Sequence, residues 1–221
     1  MAGKITSLVV QKRNKDRVNV FIDNEFAFGL AMIEALKLKK GQVLSEEDIE
    51  RLQALDEIEV ARERALNYLS YRPRSADEVR QNLRKKEFSE SAINLVITRL
   101  EETGLLSDES FTQFWIENRE QFAPRSAQAL RYELRQKGVE DHIIDETLDS
   151  FDESDAAYRA AGKRLRRYLG KDRQTFRKKL GDYLARRGFP YPIIKDVLER
   201  LWEESGEEAY ASANPDHDNL T

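Results

Sequence analysis

The sequence predicts a mainly α-helical fold: three tandem three-helix repeats in an elongated, right- or left-curving array, preceded by a small β-hairpin and helix module. Three observations carry that expectation. First, an apolar grammar recurs. Leu83, Phe88, Ile93, Ile97 and Leu100 reappear as Leu134, Val139, Ile144, Leu148 and Phe151, then as Leu184, Phe189, Ile194, Leu198 and Leu201, at offsets of 51 and 50 residues. Periods of roughly 20–50 residues mark arrays in which each unit buries its apolar face on its neighbours. Second, the opening residues alternate: Val18, Val20 and Ile22 interleave with Arg17, Asn19 and Asp23, the period of a half-buried strand. Third, charged residues make up 35% of the 221 and hydrophobic ones 40%, which suits thin helical layers better than one thick core.

Residues 1–57 read as a β-plus-α module. The stretch 5–11 (ITSLVVQ) is an antiparallel partner for the Val18–Ile22 strand, the polar 13–16 (RNKD) is their turn, and 25–28 (EFAF) adds a third short strand. Beyond Gly29 the pattern turns helical, with Leu30, Ile33 and Leu36 on one face and Gly41 as a stop. Ser45, with Asp48 three residues on, forms a capping box that opens a helix through Ile49, Leu52 and Leu55.

The repeats occupy 58–106, 107–151 and 152–203. In each, a first helix (61–69, 111–119, 157–168) precedes a polar break. A second helix then ends in a basic cluster followed by Glu87, Gly138 or Gly188, and an Ile-rich third helix closes the unit. Pro73-Arg74-Ser75 recurs as Pro124-Arg125-Ser126, and Ser75 with Glu78 makes a further capping box. An apolar spine should run through Leu83, Ile93, Leu134, Ile144, Leu184 and Ile194. Phe111, Phe114 and Trp115, at i, i+3, i+4 spacing, are expected in the core, as is Trp202. Residues 204–221 are acidic and poor in branched apolar side chains, and are expected to be a disordered tail that folds back over the basic repeat.

Catalysis finds little support. There is no cysteine, the histidines are His142 and His217, and the glycines form no phosphate-binding loop. No catalytic residue, metal site or cofactor is assigned, and no apolar run approaches the ~18 residues of a membrane span. The sequence therefore reads as a non-enzymatic, cytoplasmic protein, expected to be a monomer. Charge is the informative feature. The net −4 conceals a segment from Arg159 to Arg187 with twelve Lys/Arg against Asp172 and Asp182, net +10, followed by net −6 from Glu199 onward. Such asymmetry points to a polyanionic partner. Arg159, Lys163, Arg166 and Arg167 are expected on nearby faces of one helix. The candidate binding residues are Lys163, Arg164, Arg166, Arg167, Lys171, Arg173, Arg177, Lys178, Lys179, Arg186 and Arg187, joined by Arg74 and Arg125, which sit just before helix starts.

These residues resemble the RecX family of regulatory proteins over most of the chain. The likeness rests on Ala65-Leu66, Leu69-Ser70, Arg72-Pro-Arg-Ser75, Glu78-Val79, Leu83 and Lys86, and on the junction Gly104-Leu-Leu-Ser-Asp108-Glu109 with Phe111. It continues through Arg119, Glu133-Leu134 and Lys137-Gly138-Val139 to Arg187-Gly188-Phe189 and Ile193-Ile194. The amino-terminal module resembles that of the longer members. Glu87 departs from the usual glycine, and Thr112 from the common alanine. The resemblance implies a helical array that lodges in the groove of the RecA recombinase filament, on single-stranded DNA and with double-stranded DNA as a further candidate, inhibiting strand exchange and ATP hydrolysis in DNA repair and recombination. It carries no catalytic residues. Two other readings stay open: a helix-turn-helix-like transcriptional regulator, and a helical scaffold that bridges proteins.

Overall fold

A computed structural model describes residues 2–169 and 171–213, with side chains through Ser205. It divides between Ser107 and Asp108 into two compact units. The first unit opens with β1 (Gly3–Val10), β2 (Arg17–Ile22), β3 (Glu25–Ala31) and β4 (Val43–Leu44) in one antiparallel sheet of order β3-β2-β1-β4. The register sets Val18 against Leu30 and Val20 against Phe28. Alternation then turns all four to the core with Ile5, Leu44 and Leu52. Asp23 and Asn24 both take positive φ, 49° and 73°, in the tight turn between β2 and β3, a conformation that short polar side chains tolerate.

The helical face expected beyond Gly29 does not form. β3 continues to Ala31, α1 (Met32–Ala35) is a single turn, and Ile33 and Leu36 are 70% and 75% exposed. The capping box at Ser45 and Asp48 does form: Ser45 Oγ accepts from Asp48 N at 3.0 Å, and the Asp48 carboxylate accepts from Ser45 N at 3.1 Å. The Ser45 hydroxyl, donating to the Asp48 carboxylate at 2.8 Å, and then the Ser45 N–H hold that carboxyl below the usual range. The helix it opens, α2 (Glu46–Leu69), runs unbroken through residue 57. The two helices expected on either side of that position are therefore one, and no glycine or proline stands between Leu55 and Ala61 to part them. Arg17 ties the sheet to this helix through Asp56 at 2.6 Å.

The three-helix repeats follow. The first joins the later turns of α2 to α3 (Ala76–Arg84) and α4 (Glu90–Glu102), around Ala61, Ala65, Leu83 and Ile93. The second comprises α5 (Asp108–Phe122), α6 (Ala127–Arg135) and α7 (Asp141–Leu148), around Phe111, Leu134 and Ile144. The third comprises α8 (Glu153–Leu165), α9 (Arg173–Ala185) and α10 (Tyr191–Ala213), around four alanines of α8, Phe176, Leu184 and Ile194. All six residues of the expected spine are buried, each in its own repeat.

The repeat grammar has a stereochemical basis at the end of each second helix. Glu87, Gly138 and Gly188 occupy one aligned position, with φ of 64°, 75° and 90°. The next residue returns its N–H to the aligned leucine carbonyl: Phe88 to Leu83 at 3.4 Å, Val139 to Leu134 at 3.2 Å, and Phe189 to Leu184 at 3.3 Å. This is the left-handed helix stop with its hydrophobic contact, repeated three times. Thr112 is fully buried and donates from Oγ1 to Asp108 O at 2.7 Å, so its hydroxyl is satisfied.

Within the second unit the middle and third repeats are clipped together. Arg187 Nη1 donates to Pro124 O at 2.8 Å, and Ser126 N–H donates back to Arg187 O at 3.2 Å. A Cβ on Gly188 would lie 2.5 Å from Ser126 Oγ, so the joint requires glycine both for space and for its positive φ. Phe151 packs against the cores of both repeats. The tail expected from residue 204 departs from expectation, because α10 continues to Ala213. The remainder of that tail lies outside the described residues.

Candidate cationic interface on the third repeat

The structure divides the candidate cations into two classes. One class is engaged in holding the fold. Arg159 pairs with Glu120 at 2.6 Å and Asp155 at 3.1 Å, and Lys163 donates to Gln121 O. Arg187 belongs to the clip at Pro124, and its guanidinium and that of Arg164 each lie 4.8 Å from the ring centroid of Tyr183. The other class has no ion pair among the described residues: Arg166, Arg167, Lys171, Arg173, Lys178, Lys179 and Arg186, all exposed. Arg177 stands between the classes, with Glu199 at 3.7 Å.

Arg166 and Arg167 are not on the helix face expected for them. α8 ends at Leu165, and the two arginines lie just beyond it, ahead of Asp172, the N-cap of α9. Asp172 accepts from Thr175 N at 2.9 Å, and that bond keeps its carboxyl below the usual range. It is thereby occupied with the helix start and leaves the neighbouring cations unopposed. Three positive charges thus stand in and beside one interhelix turn, Arg166, Arg167 and Lys171, without an ion pair among the described residues.

Arg74 and Arg125 have different surroundings from those expected. Arg72, not Arg74, takes Glu78, at 3.1 Å, while Arg74 lies over Tyr68 at 4.1 Å. Arg125 approaches Glu133 at 3.5 Å, an acid that local sequence did not reveal because it comes from the next helix. In both arginines the buried Nε has no hydrogen-bond acceptor among the described residues. Glu133 is the hub of the middle repeat, accepting from Arg119 Nε at 2.7 Å and from Trp115 Nε1 at 2.9 Å. Trp115 is thus only half in the core expected for it. Its ring also carries Arg119 at 4.5 Å and Lys137 at 5.2 Å from the centroid. Trp202 does cap the third core, edge-on to Phe176 at 5.2 Å.

Sequence reasoning passed over Lys195 and Tyr191 of α10, which stand across a groove from Arg177 and Lys178 of α9. The signal was available, since aligning the repeats sets Tyr191 and Lys195 opposite Asp141 and Asp145. No group of three or more His, Asp or Glu among the described residues is arranged to hold a metal ion. No described helix is long and apolar enough to cross a membrane.

Comparison with known proteins places these features. Residues 3–45 match the model described as Regulatory protein RecX N-terminal domain, and 61–100, 107–148 and 152–198 match the first, second and third three-helix domains of RecX. The chain is 34% identical over 219 residues to Regulatory protein RecX of Bacillus velezensis, covering 96% of this chain and 83% of the relative. It is 31% identical over 210 residues to the protein of that name from Clostridium acetobutylicum, covering 91% and 97%. A crystal structure of regulatory protein RecX superposes with a TM-score of 0.68 at 27% identity, over 88% of this chain and 99% of that one. Another, of RecX from Lactobacillus salivarius, gives 0.59 at 25% identity over 66% and 97%.

Proposed function

From the premise that this chain belongs to the RecX family of regulatory proteins, we propose that it binds the RecA filament and inhibits it, catalysing nothing itself. It would act in the cytoplasm, in DNA repair and recombination and the SOS response, with the third repeat as its grip. The observation that carries this reading is the set of seven exposed cations of that repeat without an ion pair among the described residues. Exposed side chains bearing one sign and lacking internal partners favour a large anionic surface, and a filament coated on nucleic acid presents one. Binding displaces counterions, so affinity should fall steeply with salt. Occupying the filament would slow its DNA-dependent ATP turnover without any chemistry by the regulator.

The test measures RecA ATP hydrolysis on single-stranded DNA with increasing amounts of wild type or of Arg166→Glu/Arg167→Glu. Wild type should lower the rate in a dose-dependent way. The reversal should require about tenfold more protein, because each lost cation removes one salt-dependent contact. Its melting temperature should not move, since neither arginine has an ion pair among the described residues. An unchanged rate at saturating wild type rejects inhibition. An equal loss in the matched reversal of Arg62 and Arg64, on α2, shows that total charge rather than this site is responsible. A parallel pull-down with RecA, RecA on DNA, and DNA alone separates filament binding from a DNA-binding regulator.

A further inference from the structure

The surface between the second and third helices is closed in two repeats and open in the third. In the middle repeat Arg135 reaches Asp141 at 2.6 Å and Arg131 reaches Asp145 at 2.7 Å, so α6 and α7 are stapled by two pairs. In the first repeat the aligned residues do the same work, Arg84 with Glu90 at 2.6 Å and Arg80 with Asn94. In the third repeat all four positions change together. The arginines become Gly181 and Ala185, and their acceptors become Lys195 and Tyr191. What remains is an open groove of about 360 Å³. Its apolar lining includes Gly181, Ala185, Ile194 and Leu198; Lys178, Lys195 and Arg177, the last with Glu199 at 3.7 Å, supply cations against Asp182, the one acid of the lining. Tyr191 stands beside it, 72% exposed.

We propose that this groove is a docking site for an acidic protein segment that inserts one apolar side chain between α9 and α10. The proposal rests on the filament-binding reading above and assigns it a protein contact. The volume suits a single large side chain rather than a helix. An apolar centre with a charged rim, a tyrosine and an arginine is the usual make-up of a binding hot spot. The rim charge selects carboxylates on the incoming segment. A nucleic-acid strand fits less well. The aliphatic lining offers a base no stacking face beyond Tyr191, and Asp182 would oppose a phosphate. The four exchanges also remove the side chains that would otherwise cover the groove and leave one unmatched positive charge, Lys195, where the middle repeat's four charges cancel, which core packing alone does not require. An added Cβ at Gly181 would sit 3.6 Å from Leu198 Cδ1 and 3.8 Å from Ile194 Cγ2, an ordinary contact, so the third repeat has room for the missing arginine.

The protein supplies its own test. Gly181→Arg, Ala185→Arg, Tyr191→Asp and Lys195→Asp together copy the middle repeat's staples into the third and close the groove almost without changing net charge. A second variant, Lys178→Glu/Lys195→Glu, reverses the rim and leaves the apolar lining in place. Binding of the full chain is measured to RecA on single-stranded DNA and, separately, to the bare oligonucleotide, with thermal melting as the check on folding. We expect both variants to melt like wild type, to bind the filament at least about tenfold more weakly, and to bind bare oligonucleotide within about twofold of wild type. Filament binding at wild-type strength by the folded variants overturns the docking site and leaves the filament reading standing. Equal losses on filament and bare oligonucleotide overturn it in favour of a nucleic-acid groove. Failure of wild type itself to bind the filament rejects the filament reading, and the docking site falls with it.

Discussion

The middle and third repeats are built from the same three helices, yet they use arginine in contrasting ways. In the middle repeat Arg119 and Arg125 converge on Glu133, Arg131 holds Asp145 and Arg135 holds Asp141. Its cations are internal fasteners. In the third repeat the aligned fasteners are gone, and exposed lysines and arginines stand without ion pairs among the described residues. The aligned aliphatic core positions did not change with them: Leu134 and Leu184, Ile144 and Ile194, and Leu148 and Leu198 are all buried, although Phe111 and Ser126 give way to Ala161 and Phe176. Repetition therefore constrains the inside of such a unit far more tightly than its surface, and surface divergence between copies is where function is to be sought.

The largest expected effect tests the shared core. Leu134→Ala and Leu184→Ala each remove a fully buried side chain, and each should cost about 2–5 kcal/mol in denaturant unfolding. Similar losses would sustain the equivalence of the two cores, and a loss at one position alone would break it. A smaller effect tests the fasteners. Glu133→Ala leaves the Trp115 and Arg119 donors without their acceptor, and should cost about 1–3 kcal/mol. Removing the aligned Tyr183 hydroxyl by Tyr183→Phe should leave stability unchanged, because that ring meets Arg164 and Arg187 through its face. The smallest effect has the opposite sign. Glu87 holds a φ of 64° where the other repeats have glycine, so Glu87→Gly should raise stability by about 0.5–1 kcal/mol, read as an upward shift of the unfolding midpoint.

The parts of the fold that were legible in the sequence are those set by local periodicity. The 51- and 50-residue offsets located eleven buried helix positions, and the alternation of Val18 and Val20 located the sheet. Elements that depend on tertiary context were not legible. Ile33 and Leu36 have helical spacing but are exposed, because Leu30 is taken up by β3. β4 is two residues long and shows no pattern of its own. At the candidate site the sequence revealed charge but not its partners. Glu133 lies fourteen residues from Arg119 and eight from Arg125, so their meeting exists only once α5 and α6 pack. The groove was hidden for a different reason. Gly181 and Ala185 are unremarkable in themselves and become informative only when set against Arg131 and Arg135.

The joint between Gly188 and Ser126 has a consequence for how such a chain can grow. A duplicated unit reproduces this joint only where the preceding one offers a buried serine at the start of its second helix, facing a glycine on the newcomer. The middle repeat offers Ser126. At the aligned place the third repeat has Phe176, which is turned into its own core against Trp202, and α9 begins a turn earlier at Arg173. A further copy of the third repeat placed after the existing one would therefore set its own Gly188 against Phe176, where the existing joint has Ser126, and could not reproduce that socket.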